Sequence, residues 1–149
     1  MVWKPDVTVA CVVERDGRFL LVEEETGDGL RLNQPAGHLE PNESIVDAVV
    51  RETLEETAYD FTPAQLTGVY RWTRPAGSLS YLRFTFSGQL GKHHPERSLD
   101  TGIVRTLWLS RDEILASSER HRSPLVVRCV EDYLAGNRYA IDALIDCAD

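Results

Sequence analysis

Glu52, Glu55 and Glu56 stand at i, i+3 and i+4, a spacing that on a helix brings three carboxylates within roughly 100° of one another. Open water tolerates such a cluster. Inside a cleft, its repulsion calls for a hard divalent cation, which takes oxygen ligands. Magnesium in particular is held by a few carboxylates together with the phosphates of a substrate. A solvated, glutamate-rich helix face has the same spacing, so the trio alone leaves both readings open. Two more acids, Glu96 and Asp100, lie in the polar stretch 91–102. Either could be a general base or an ordinary solvated loop acid.

The element that must carry the trio is a helix over residues 44–57. Pro41, Asn42, Glu43 and Ser44 supply punctuation and capping chemistry before it. Val46, Val49, Val50, Thr53 and Thr57 share one face of this helix, so it can pack on a sheet while an adjacent face presents carboxylates. Residues 7–13 form a β-branched run, followed by the turn Arg15-Asp16-Gly17 and a second apolar run at 19–22. Together these predict a largely buried hairpin. Residues 25–29 read as a loop, and 32–39 as an irregular, Pro-interrupted segment. Residues 65–73 and 80–88 predict a strand pair around Arg74-Pro75-Ala76-Gly77. In the second of these, Tyr81, Arg83 and Thr85 alternate with Leu82, Phe84 and Phe86. A strand at 104–109, a helix opened by Ser110 and a last helix at 124–135 closed by Gly136-Asn137 complete the pattern. The fold class this predicts is α/β: an α/β/α sandwich with a mixed β-sheet between helices, one domain over 1–149.

Acidic residues outnumber basic ones by 24 to 16, for a net charge of −8, so no basic face is offered to a nucleic acid duplex. The same surplus repels a phosphate substrate unless bound cations offset it. Cys11, Cys129 and Cys147 are dispersed and odd in number, which suggests neither a disulfide framework nor a zinc site but reduced thiols in a cytoplasmic protein. No apolar stretch approaches the ~18 residues of a membrane span. Whether the chain is a monomer or a dimer stays open.

The residues around the trio decide between its two readings. From Gly37 the chain reads GHLEPNESIVDAVVRETLEETAY, with Glu43 six positions on, then Arg51-Glu52, then Glu55-Glu56. This resembles the Nudix box, Gly-x5-Glu-x7-Arg-Glu-U-x-Glu-Glu-x-Gly-U with U bulky and apolar, at six of its seven fixed positions. Ala58 stands for the last Gly and Thr53 for the first U, so a slightly altered helix exit is expected, with the site retained. The resemblance implies Mg²⁺ (with Mn²⁺ as a substitute) on Glu52, Glu55 and Glu56 and on the backbone carbonyl of Gly37. It implies that Arg51 orients a carboxylate through a fork that Lys could not match, and that Glu43 supports the others or contacts a metal through water. The reaction implied is in-line attack of water on phosphorus, with Glu52 itself or a loop acid, Asp100 or Glu96, as base.

The flanks, KPDVTVACVVERDGRFLLVEEE, NQPAGHLEPNESIVDA and RSPLVVRCVEDYLAGNRY, resemble a bacterial subgroup of that family, the NudJ phosphatases. This implies small-molecule substrates: nucleoside tri- and diphosphates and the thiamine-precursor pyrimidine pyrophosphate, with release of orthophosphate. Asn33, Gln34, Arg83, Trp72 and Tyr81 are the candidates for holding the rest of the substrate. Each has a structural alternative: loop amides, a surface ion pair, core aromatics. His38 lies inside the box loop at a variable position, where it could touch substrate, whereas His93, His94 and His121 lack partners at ligand spacing. Competing readings are a Nudix pyrophosphatase of another specificity (ADP-ribose, a nucleotide sugar, or nucleoside triphosphate to monophosphate plus pyrophosphate) and a non-catalytic ligand sensor. A sensor usually shows eroded carboxylates, and all three are intact. An isomerase would commonly need a catalytic Cys, whereas Cys11 lies in an apolar strand that favours burial.

Overall fold

The β-branched run that opens the chain forms strand β1 (Asp6–Val12) in the computed structural model, which describes residues 2–77 and 79–147. It does not pair with the next apolar run, as the expected hairpin requires. Only the two-residue β2 (Glu14–Arg15) folds back on β3 (Arg18–Thr26) across the turn at Asp16-Gly17. β1 and β3 are buried on both faces and have no polar side to set a register. The chain therefore crosses at Val13 from one sheet to another.

β3 runs into the expected loop at 25–29, shortening it to the turn Gly27-Asp28 before β4 (Gly29–Asn33). After Pro35 comes the short β5 (Ala36–His38), antiparallel to β1, within the segment expected to be irregular. Helix α1 (Ile45–Thr57) follows, capped by the Ser44 hydroxyl, which accepts from Asp47 N–H at 3.0 Å. β6 (Tyr59–Thr73) and β7 (Ser80–His93) make one long antiparallel pair around the expected turn, and each outruns its predicted strand. β8 (Ile103–Ser110) pairs with β3. A Ser110–Glu113 capping box starts α2 (Arg111–Ala116), then α3 (Leu125–Leu134) leads to β9 (Tyr139–Ala140) on the edge of β6.

The result is an α/β architecture with a mixed sheet, order β5-β1-β7-β6-β9, in which β1 and β7 run parallel, and a second, antiparallel sheet of β2, β3, β4 and β8. Val9, Cys11, Leu20, Ala48, Val49 and Phe86 knit α1 to the mixed sheet, while Val12, Phe19, Leu21, Val126, Cys129 and Val130 form a second core beneath α3. Cys11 is fully buried, as its apolar strand implied. No helix among the described residues is long and apolar enough to cross a membrane.

The end of α1 departs from expectation. Ala58 adopts the left-handed conformation (φ 62°, ψ 19°), and its N–H donates to Leu54 O at 2.9 Å. The helix exit thus keeps the geometry a glycine would take, and the chain absorbs about 1–2 kcal/mol of backbone strain.

Candidate active site

Arg51 is the hub of the glutamate cluster. Its Nε and Nη2 fork onto Glu43 at 2.9 and 2.7 Å, and Nη2 also donates to His38 O at 3.0 Å. Nη1 bridges Glu52 Oε1 at 2.7 Å and Glu55 Oε2 at 3.1 Å. Helix spacing alone does not fix these rotamers; the β5–α1 loop does, because it brings Glu43 back over the first turns of α1, with Glu43 Oε1 accepting from Glu40 N–H at 2.9 Å. The Arg51 hydrogen bonds hold the Glu43 carboxyl below the usual range despite partial burial.

Glu52 and Glu56 belong to the buried stripe of α1, 8% and 7% exposed. Glu52 lies against Gly37, where a Cβ would overlap its carboxylate. Gly37 is not in the left-handed region; the glycine is needed for space. Glu56 Oε1 accepts from Ala36 N–H at 2.9 Å and forms no ion pair among the described residues. Burial pushes its carboxyl up to about 8; that hydrogen bond resists the rise, and Glu24, Glu52 and Asp100 add to it. Burial also raises Glu52, against the pull of Arg51.

Oxygen-only donors, buried carboxylate without compensating cation, and a glycine cradle that a side chain would fill together suit a hard divalent cation. Glu52, Glu55, Glu56 and the Gly37 carbonyl are the groups that could hold one. Among the described residues no three acids already close on one point at ligand spacing; Arg51 Nη1 sits between Glu52 and Glu55.

Glu52, Glu56 and Gly37 line a cleft of about 420 Å³, and Glu55, bonded to Arg51, stands outside that lining. The lining brings the acids Glu24, Glu40, Glu52, Glu56 and Asp100 together with Asn33, Trp72, Arg74, Tyr81, Arg83 and Arg122. Trp72 and Tyr81 stack at 5.7 Å and 16°. Arg83 is buried and bonded to the Asn33 and Gln34 amide oxygens, so it is not the surface ion pair considered from sequence. Gln34 is buried beneath the wall, its Nε2 donating to Val126 O at 2.8 Å.

Asp100 faces the cleft, its N–H donating to Glu55 O at 2.8 Å. Glu96 does not: its side chain is 76% exposed and turned toward His94, 3.8 Å from Nδ1. As a candidate base it is therefore set aside, because the loop carries it away from the carboxylates. His94 pairs with Asp60 at 3.0 Å and His93 packs on Tyr59, while His38 lines the cleft with Asp6 at 3.5 Å. Glu24, Arg74 and Arg122 have no place in the sequence reading. Arg122 pairs with Glu24 at 3.2 Å although the two stand 98 positions apart in sequence, and no local pattern announces such a contact.

Comparison with known proteins gives a match to the NUDIX domain over residues 4–128. The chain is 40% identical over 144 residues to the Phosphatase NudJ of Escherichia coli, covering 97% of this chain and 93% of that protein. It is 56% identical to a NUDIX hydrolase from Nitrosomonas europaea, with a TM-score of 0.94 over 97% of this chain and 98% of the other. A MutT NUDIX hydrolase from Burkholderia pseudomallei shares the fold at 19% identity, TM-score 0.74, covering 87% of this chain and 98% of its own.

Proposed function

The chain belongs to the Nudix hydrolase family, enzymes acting on phosphorus-containing acid anhydrides, and from that premise we propose a Mg²⁺-dependent phosphatase of the NudJ kind. Its substrates are nucleoside tri- and diphosphates and the thiamine-precursor pyrimidine pyrophosphate, and its product is orthophosphate. One observation carries this reading: a single cleft joins the buried carboxylates of α1 to a wall of arginines and stacked aromatics. The similarity to a named phosphatase over nearly the whole chain supports the choice of product.

Glu52, Glu55, Glu56 and the Gly37 carbonyl would hold the cation, with Mn²⁺ as a substitute. Once bound, it polarises the phosphoryl oxygens, lowers the pKa of the attacking water and offsets the leaving group's charge. Arg51 aims Glu52 and Glu55 through Nη1, and Glu43 fixes the plane of that guanidinium by a two-point fork. Asp100, the loop acid in the cleft, takes the proton as water attacks phosphorus in line with the departing oxygen. Asn33, Arg83, Trp72 and Tyr81 hold the rest of the substrate, with Gln34 bracing Arg83 from below.

The test is a panel of nucleoside di- and triphosphates, ADP-ribose and the thiamine-precursor pyrophosphate, with Mg²⁺ or with chelator, followed by product identification. Orthophosphate released from nucleotides only when Mg²⁺ is present is expected. Pyrophosphate release, or ADP-ribose as the sole substrate, would replace the phosphatase reading with a pyrophosphatase one.

A further inference from the structure

Arg83 lies on the central strand β7 at 5% exposure, yet it faces the same cleft as the carboxylates. A guanidinium this buried ordinarily meets a carboxylate, because neutral hydrogen bonds return less than desolvating the charge costs. Among the described residues Arg83 forms no ion pair. Nη1 donates to Gln34 Oε1 and Nη2 to Asn33 Oδ1, each at 3.0 Å, and Cys129 Sγ lies 3.8 Å from Nη1.

These contacts fix the polarity of the cleft wall. A guanidinium offers only donors, so both amide oxygens must turn toward it. The Gln34 amide is engaged at both ends, its Nε2 donating to Val126 O at 2.8 Å. The Asn33 amide is not: its Nδ2 points away from Arg83 and has no protein acceptor among the described residues, and neither has Arg83 Nε. No fully buried side-chain nitrogen or oxygen there lacks a partner, so both groups reach the solvent of the cleft they line. The groups that Asn33 and Arg83 themselves leave free are both donors.

The setting suits a flat ring. Tyr81, two residues before Arg83 on the same face of β7, stacks with its cross-strand partner Trp72. Thr8 stands level with Arg83 on β1, and His38, beside Gly37, is level with Thr8 on β5. The carboxylate end is thus two strand spacings away, roughly 10 Å. Arg74 and Arg122 line the same cleft and can meet phosphate charge without Arg83.

We propose that Asn33 and Arg83 form a donor-only specificity subsite that reads two adjacent acceptors on the substrate's base, as guanine presents with O6 and N7 and cytosine with O2 and N3. In adenine an amino donor sits beside N7, and in uracil an N–H separates the carbonyls, so each sets donor against donor. The inference rests on the nucleotide reading above and names the selectivity within it.

Binding separates the two claims, because it needs no turnover. Calorimetric titration of the four nucleoside monophosphates into the full chain is expected to show GMP and CMP binding about tenfold or more tighter than AMP and UMP. Asn33→Asp keeps an oxygen toward Arg83 but turns the cleft-facing donor into an acceptor, and should erase that preference. Asn33→Ser leaves a hydroxyl for Arg83 and deletes the cleft donor, with the same expected outcome; circular dichroism establishes that each variant is folded. Equal wild-type affinities, no binding of any of the four at millimolar concentration, or a preference that survives in a folded variant would overturn the subsite. So would inorganic phosphate displacing all four equally, which would make it a phosphate site. Base preference without nucleotide hydrolysis would sink the function proposed above and leave this subsite standing.

Discussion

Gly37→Ala perturbs the proposed metal face without touching a carboxylate. The backbone at position 37 lies outside the left-handed region, so alanine fits it without strain. Its Cβ would overlap the Glu52 carboxylate, and restoring van der Waals separation requires a retreat of about 1 Å, a misplacement that costs ~100-fold in rate. Stability should change little. The Arg51–Glu52 hydrogen bond at 2.7 Å is put at risk, worth about 1.5 kcal/mol for a charge-assisted bond at this exposure. The stiffer unfolded chain returns about 0.4–1 kcal/mol. A net loss of about 1 kcal/mol at most corresponds to ~2–4 °C in Tm. The assays are kcat/KM with saturating Mg²⁺, calorimetric Mg²⁺ affinity and thermal denaturation. A hundredfold fall in kcat/KM with weakened Mg²⁺ binding and a nearly unchanged Tm is expected. Wild-type kcat/KM in a folded Gly37→Ala protein would refute the reasoning, because the carboxylate would then have no fixed place to lose.

Glu55→Gln should lower kcat by more than about 100-fold, since even outer-sphere partners of a metal account for up to that much; an active variant would remove Glu55 from the metal site. Ala58→Gly should relieve left-handed strain at φ 62° and raise stability by about 0.5–1 kcal/mol after unfolded-chain entropy is subtracted, read as a higher denaturation midpoint with kcat unchanged; a lower midpoint would contradict it. Glu56 gives a pH signature. Its folded carboxyl sits at about 8 against 4.5 ordinarily, so the unfolded chain ionises first and metal-free stability falls as pH rises between those values. A bound cation favours the ionised form, so the Tm gain on adding Mg²⁺ should grow from pH 6 toward pH 8.5; a constant gain would show that Glu56 loses no proton on binding.

The legible features were local. Ser44, the valine spacing and the acidic trio marked α1 because capping and periodicity act within a few residues. Arg51 and Glu43 were placed together by the box, and the structure adds that the arginine, through one nitrogen, also spans Glu52 and Glu55. Distant pairings were not legible. The β1–β3 hairpin was misread because strands buried on both faces carry no alternation, so adjacency in sequence stood in for pairing. The reason for Gly37 was hidden likewise: what forbids a side chain there is a carboxylate from another element, and neither φ nor a turn signals it. Arg83 was placed on the correct strand by alternation, while its neutral amide partners, which give the wall its polarity, come from the end of β4 and the residue after it.

The central claim, a Mg²⁺-dependent phosphatase acting through the carboxylates of α1, is tested most directly by phosphorus NMR of the purified chain turning over GTP. Orthophosphate and GDP are predicted to appear together in Mg²⁺, with neither formed in chelator. Pyrophosphate and GMP, or turnover that persists in chelator, would contradict it.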